Sequence, residues 1–194
     1  MKSFRIKILV AGIICIILIF SSTFAQSVEN SGMVALQEEA AKKLIALNLL
    51  KGYDDGSLGL ERPIRRVEFC AIVSRMLGYE ENPVLPSTFP FKDVKRDYWG
   101  YKYIATAYGL NLVIGFDDGT FKPDEQITYA QAVTMLVRTL GYAGDVKGMK
   151  WPDNFMEIGN NLGITRYLQI DYNKPVTRGE IAVMVSNSLG IELK

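Results

Sequence analysis

The chain has 194 residues, 48% of them apolar and 22% charged, with a formal net charge of +1. This is the composition of a folded protein rather than a disordered or collagen-like one, and it lacks the basic excess of a dedicated nucleic-acid binder. With no histidine, and Cys15 and Cys70 as its two thiols, the sequence excludes a His-ligated zinc, a Ser-His-Asp triad and a Cys-His pair.

In chain order, residues 1–25 read as a secretory signal peptide. Lys2, Arg5 and Lys7 precede a 13-residue apolar run, Ile8 to Phe20, and Thr23-Phe24-Ala25 supplies small residues before a cut. A membrane span needs about 20 apolar residues, so no permanent span is expected. Residues 26–194 then carry 19 basic against 21 acidic residues, a net charge of −2. Cys70 is the one thiol left in this part, so an intramolecular disulfide is impossible there and a packed core must supply stability.

The rest is built from repeats. Leu47-Asn48-Leu49-Leu50-Lys51-Gly52-Tyr53-Asp54-Asp55-Gly56 returns 63 residues later as Leu110-Asn111-Leu112-Val113-Ile114-Gly115-Phe116-Asp117-Asp118-Gly119. Ala46–Tyr79 and Gly109–Tyr142 share 12 identities in 34 ungapped positions. A third copy is shorter. Val176-Thr177-Arg178-Gly179-Glu180 matches Ile127-Thr128-Tyr129-Ala130-Gln131 and Ile64-Arg65-Arg66-Val67-Glu68, and Trp151-Pro152-Asp153 aligns with Phe91-Lys92-Asp93. On that alignment the third copy lacks 11 residues, the Asp-Asp-Gly turn among them. The copies span about 28–79, 91–142 and 151–190.

Each copy reads as helix, loop, helix, with first helices near Ser31–Leu49, Asp97–Gly109 and Phe155–Leu162. The second helices follow Ile64, Ile127 and Val176, and each stops before a glycine (Gly78, Gly141, Gly190) suited to a left-handed cap. Thr128 with Gln131 and Thr177 with Glu180 form capping-box patterns. Three aligned columns are apolar at helical spacing: Cys70/Val133/Ala182, Val73/Leu136/Val185 and Leu77/Leu140/Leu189. They predict that the second helices pack on one another as the core. Strand signals are weak, so the expected class is all-α.

Three features could carry binding. The Gly-aromatic-Asp-Asp-Gly segments read as tight turns; an EF-hand reading fails because the twelfth position is Arg65 or Thr128, where a bidentate glutamate is required. At the starts of the second helices, Arg66 and Arg178 put a guanidinium fork beside backbone amides that favour an anion, with Tyr129 in that place in copy two. The bland reading is an arginine paired to a surface glutamate. Trp99 reads either as inter-repeat packing or as a platform for a sugar ring, whereas Trp151 reads as packing.

Phe91-x-Asp93-Val94, Tyr98-Trp99-Gly100, Gly115-Phe116-Asp117-Asp118-Gly119-Thr120-Phe121-x-Pro123 and Ile127-Thr128-x-Ala130 resemble the S-layer homology (SLH) domain, whose pattern is F-x-D-V, W-A, G-Y-x-D-G-T-F-x-P and I-T-R-A-E. Copy two is the best match; copy one is partial and copy three degenerate. The resemblance implies a pseudo-threefold helical bundle of three SLH repeats, secreted to the bacterial cell wall. It implies a non-enzymatic module, with no cofactor or metal, that binds anionic, often pyruvylated, secondary cell-wall polysaccharide. Carried over by motif, the glycan-binding residues are Arg66 and Arg178, with Arg65 and Trp99, and the loop residues Gly52, Asp55, Gly56, Gly115, Asp118 and Gly119. Tyr129 and Gln131 depart from the motif's arginine and glutamate. The competing reading is a structural or adaptor protein that contacts another envelope protein through its repeats.

Overall fold

The computed structural model describes residues 30–194, so the expected signal peptide lies outside the described residues. Contacts divide the chain into Met1–Leu36 and Gln37–Lys194. Of the first unit, residues 30–36 are described and are helical. In the second unit residues 37–46 are helical and are labelled α1. There it is followed by α2 (Arg66–Met76), α3 (Tyr101–Gly109), α4 (Tyr129–Thr139), a 3-10 turn (Tyr142–Asp145), α5 (Asp153–Asn161) and α6 (Arg178–Ser188). The class is all-α, with no strand among the described residues.

The second helices begin where the sequence placed them. Thr128 Oγ1 accepts from the Gln131 amide and Gln131 Oε1 accepts from the Thr128 amide, at 3.4 and 3.3 Å. Thr177 and Glu180 repeat the box at 3.2 and 2.8 Å. Arg65 has no side-chain acceptor, so α2 keeps half of it, the Arg65 amide donating to Glu68 Oε2 at 2.9 Å. At the far ends Gly78 and Gly141 have φ of 81° and 86°. Gly190 is a correction, because its φ is not positive and α6 ends instead in a plain turn, with the Ile191 amide donating to Ser188 O. Among the first helices, α3 starts four residues later than expected, since Gly100 stands at its N-cap, and α5 starts two earlier.

Three short segments hold the centre. The Ile64 amide donates to Val176 O, the Val176 amide to Ile127 O and the Ile127 amide to Ile64 O, at 3.0, 3.0 and 3.1 Å. These bonds close a ring around a pseudo-threefold axis. Ile64, Ile127 and Val176 are fully buried, so the ring's hydrogen bonds are shielded from water. Single β-bridges flank it: Pro63 with Thr177, Arg65 with Gln126, and Thr128 with Pro175.

Packing departs from the expected core. The first two apolar columns are fully buried in all three copies, but in the third only Leu140 is, with Leu77 and Leu189 half-buried at the helix ends. Moreover, the second helices of copies one and two pack mainly on the first helix of the next copy: α2 on α3 and α4 on α5, with α4 touching α2 and α6 less. A Cβ on Gly159 of α5 would lie 2.4 Å from Val133 Cγ1 of α4, so only glycine permits that approach. The circle closes where Lys43 Nζ of α1 donates to Ser186 Oγ of α6 at 3.3 Å. A 3.6-residue period shows that a face is apolar, not which neighbour covers it.

Candidate functional site

Three loops join first to second helices: loop 1 (47–65), loop 2 (110–128) and loop 3 (162–177). The first two have 19 residues and the third 16. In loops 1 and 2 the second aspartate makes the turn. Asp55 Oδ1 accepts from the Ser57 amide and hydroxyl, and Asp118 Oδ1 from the same groups of Thr120. Those bonds, the hydroxyl's foremost, hold both carboxyls below the usual aspartate value.

The amides at the helix starts are already taken. Arg66 and Val67 donate to Glu125 O and Pro123 O, Tyr129 and Ala130 to Lys174 O and Tyr172 O, and Arg178 and Gly179 to Arg62 O and Leu60 O. The expectation of free amides for an anion is therefore corrected. Carbonyls of the neighbouring loop satisfy them, and any anion must be met by side chains.

The motif arginines reach across copies. Arg66, from α2, lies under loop 2, where Nε donates to Phe121 O at 3.0 Å and Nη1 to Gln131 Oε1 at 3.1 Å. Its guanidinium sits 4.5 Å from the Phe121 ring centroid and 5.1 Å from that of Phe116. Burial lowers its pKa, while Cys70, Glu125 and Asp93 act to raise it. The Cys70 thiol is pushed up to about 12 by burial and stays neutral. Around Arg66 opens a groove of about 390 Å³. Leu112 to Phe116 of loop 2 form one wall, and Thr134, Met135 and Arg138 of α4 another. Trp151 and Phe155 close it.

Loop 1 has a counterpart of about 380 Å³, in which Arg178 from α6 takes the place of Arg66. Arg178 Nε donates to Leu58 O at 2.9 Å and Nη2 to Lys51 O at 2.8 Å, while Nη1 lies 3.7 Å from Glu68 Oε1. The Tyr53 ring lies under it at 4.6 Å. Leu50 to Asp54 form one wall and Ala71, Ile72 and Arg75 of α2 the other, with Trp99 at the edge. Arg65 lines this groove too, paired with Asp124 at 3.0 Å and Glu68 at 3.3 Å. Burial opposes its charge, but the bond to Glu68 and the two acids outweigh it and raise its pKa.

The third position is different. Tyr129 is fully buried and its hydroxyl has no hydrogen-bond partner among the described residues. Burial, with the Glu180 carboxylate acting on it, raises its pKa above the ordinary tyrosine value. Loop 3, three residues shorter, is held by Asn187 Nδ2, which donates to Ile164 O and Arg166 O. Asn187 occupies the column of Arg75 and Arg138, which donate to Leu49 O and Leu112 O.

Of the residues singled out in the sequence, Arg66 and Gly115 line the loop-2 groove, and Arg178, Arg65, Trp99 and Gly52 line the loop-1 groove. Asp55, Gly56, Asp118 and Gly119 form the turns and are not among the lining residues. A Cβ on Gly115 would meet Phe91 Cε1 at 2.3 Å, which keeps that column glycine. Sequence reasoning missed Arg75, Arg138 and Trp151. Trp151 is half exposed, as is Trp99, and directly precedes the N-cap of α5 as Trp99 precedes that of α3. Its alignment with Phe91 is corrected, and in this register loop 3 lacks 3 residues, not 11. The reading as packing holds in part, because Trp151 Nε1 donates to Thr134 Oγ1 of α4 at 3.0 Å while the residue stays half exposed. The signal was available in the spacing from each tryptophan to the helix that follows.

Residues 90–133 match the family profile of the S-layer homology domain. The chain carries an SLH domain there, the family its motifs resemble. It is 38% identical over 175 residues to the "Middle cell wall protein" of Brevibacillus brevis, covering 90% of this chain and 16% of that protein. It is 36% identical over 162 residues to the "Surface layer protein" of Brevibacillus choshinensis, covering 83% and 14%. The "Cellulosome-anchoring protein" of Acetivibrio thermocellus is 36% identical over 99 residues, 50% of this chain and 22% of that one. The chain thus spans about a sixth of the length of the first two relatives. The family and these relatives make it a cell-surface module of the cell wall. Among the described residues no helix is long and apolar enough to cross a membrane.

Proposed function

We propose that this chain is a wall-attachment module that binds an acidic cell-wall polysaccharide non-covalently through the loop-1 and loop-2 grooves, as a binder rather than an enzyme. The observation that carries this reading is the duplicated groove. In two places a half-exposed tryptophan, an apolar wall and guanidiniums from different copies, three in the loop-1 groove and two in the loop-2 groove, converge on cavities of nearly equal volume. A tryptophan face and apolar wall suit the carbon face of a sugar, and guanidinium forks suit a carboxylate such as that of a pyruvate ketal. Residues 26–194 are net negative, so bulk attraction does not hold the polymer. Local donors do, each charge-assisted bond contributing about 1.5–3 kcal/mol.

Co-sedimentation with washed wall sacculi, before and after chemical removal of their polysaccharide, tests the reading. Retention should be lost with the polysaccharide. Equal retention on both would point to a protein partner in the envelope instead.

A further inference from the structure

The two grooves match in volume and framework but not in how their arginines are neutralised. In the loop-1 groove all three, Arg65, Arg75 and Arg178, are engaged, Arg65 by Glu68 and Asp124. Arg178 uses two nitrogens on carbonyls and faces Glu68 with the third. Arg75 donates to Glu80 at 2.9 Å, to Leu49 O and to the Tyr103 hydroxyl. Lys51 also pairs with Glu80, and Asp54 adds a further carboxylate to the lining.

At the positions of Glu68 and Glu80, 63 residues on, the loop-2 groove has no acid, and Asp117, the counterpart of Asp54, is not among its lining residues. Gln131 stands where Glu68 would be, and Ala143 where Glu80 would be. Arg66 therefore donates to a neutral amide, and its Nη2 has no hydrogen-bond partner among the described residues. Arg138 donates to Leu112 O, lies 5.3 Å from the Phe155 ring, and has no ion-pair partner among the described residues. The acids that act on Arg66 are Glu125 and Asp93. Both have partners of their own: Glu125 pairs with Lys122, and Asp93 accepts from the amides of Phe121 and Lys122.

An uncompensated pair of part-desolvated guanidiniums favours an anion, whereas carboxylates already paired in a groove repel one and accept hydroxyls instead. We propose that the loop-2 groove takes the carboxylate-bearing sugar of the polymer and the loop-1 groove a neutral one, with Gln131 and Ala143 setting the difference. This assignment rests on the glycan-binding reading above.

The chain's two tryptophans report the grooves separately, Trp151 in the loop-2 groove and Trp99 in the loop-1 groove. The experiment is a titration of the 15N-labelled chain with methyl glucuronide, methyl glucoside and purified wall polysaccharide, following the two indole N–H signals. Glucuronide should saturate Trp151 at roughly 10-fold lower concentration than Trp99, the factor expected of one added charge-assisted bond, and glucoside should show no such preference. Gln131→Glu, which is isosteric, and Ala143→Glu should each remove the Trp151 advantage, with the unmoved Trp99 signal reporting that the fold is intact. Glu68→Gln should tighten glucuronide at Trp99. Equal saturation by glucuronide at both indoles, or a Gln131→Glu chain that behaves as wild type, overturns the assignment alone. Polysaccharide that moves neither signal overturns the glycan-binding reading and the assignment with it.

Discussion

The positions of Arg178 and Tyr129 are related by the pseudo-threefold axis, yet they differ in almost everything except the backbone. Both residues open a helix whose first two amides donate to the neighbouring loop, and both sit next to the central ring. At Arg178 the side chain ties down loop 1 and faces Glu68; at Tyr129 a phenol is buried with its hydroxyl unpartnered beside Glu180. The framework is thus written in main-chain hydrogen bonds, which a residue other than proline makes whatever its side chain. The site is written in side chains, which were free to diverge once the framework no longer needed them.

Three measurements break or sharpen that contrast. The largest effect is expected at Arg178. Arg178→Ala removes the donor to two carbonyls and one of the two arginines beside Glu68, so it should cost about 2–4 kcal/mol in urea unfolding. Arg66→Ala, which strands a neutral amide and one carbonyl, should cost about 1–3 kcal/mol. Equal losses would mean that the charge pairing at loop 1 adds nothing.

A smaller effect is expected from acid. Burial opposes the charge on Glu80, but the Tyr103 hydroxyl and Arg75 outweigh it and hold its carboxyl below the ordinary glutamate value. A carboxyl lowered by folding stabilises the chain above its unfolded value, and that contribution disappears as pH falls through the lower, folded one. Stability should therefore drop below about pH 4, and Glu80→Gln should flatten part of that drop in thermal melts across the range. Identical acid profiles would remove Glu80 from the account.

The smallest effect should come from Tyr129→Phe. Deleting a buried hydroxyl with no partner leaves packing intact, so the melting temperature should rise, by the equivalent of about 1 kcal/mol. A clear loss of stability would show that the hydroxyl is bonded after all.

Much of this was legible beforehand, because some features are local. The Thr128 and Thr177 caps, the starts of the second helices, the Asp-Gly turns and the two motif arginines all follow from residues a few positions apart. What was hidden is what depends on which copy meets which. Arg66 works under the loop of copy two and Arg178 under that of copy one, and α4 covers α5 rather than its own first helix, α3. Arg75 and Arg138 carry no local signal, because the loop carbonyls they reach lie 26 residues away. The register of Trp151 was misread because Trp-Pro-Asp and Phe-Lys-Asp share an aromatic-x-Asp spacing, whereas the geometry counts back from the helix cap.

The ring formed by Ile64, Ile127 and Val176 has a consequence for how attachment fails. Each member gives one hydrogen bond and receives one, so removing any copy leaves a donor and an acceptor stranded in an apolar centre. At about 1–3 kcal/mol for each stranded group, a large share of a domain's stability, partial products of one or two copies are expected to be unstable. The three segments melt as a single cooperative unit, and both grooves disappear together. With the two grooves as the wall-binding sites proposed above, adhesion would be a yes-or-no property of the whole bundle: a domain under load or heat would not slacken one grip at a time but release both at once.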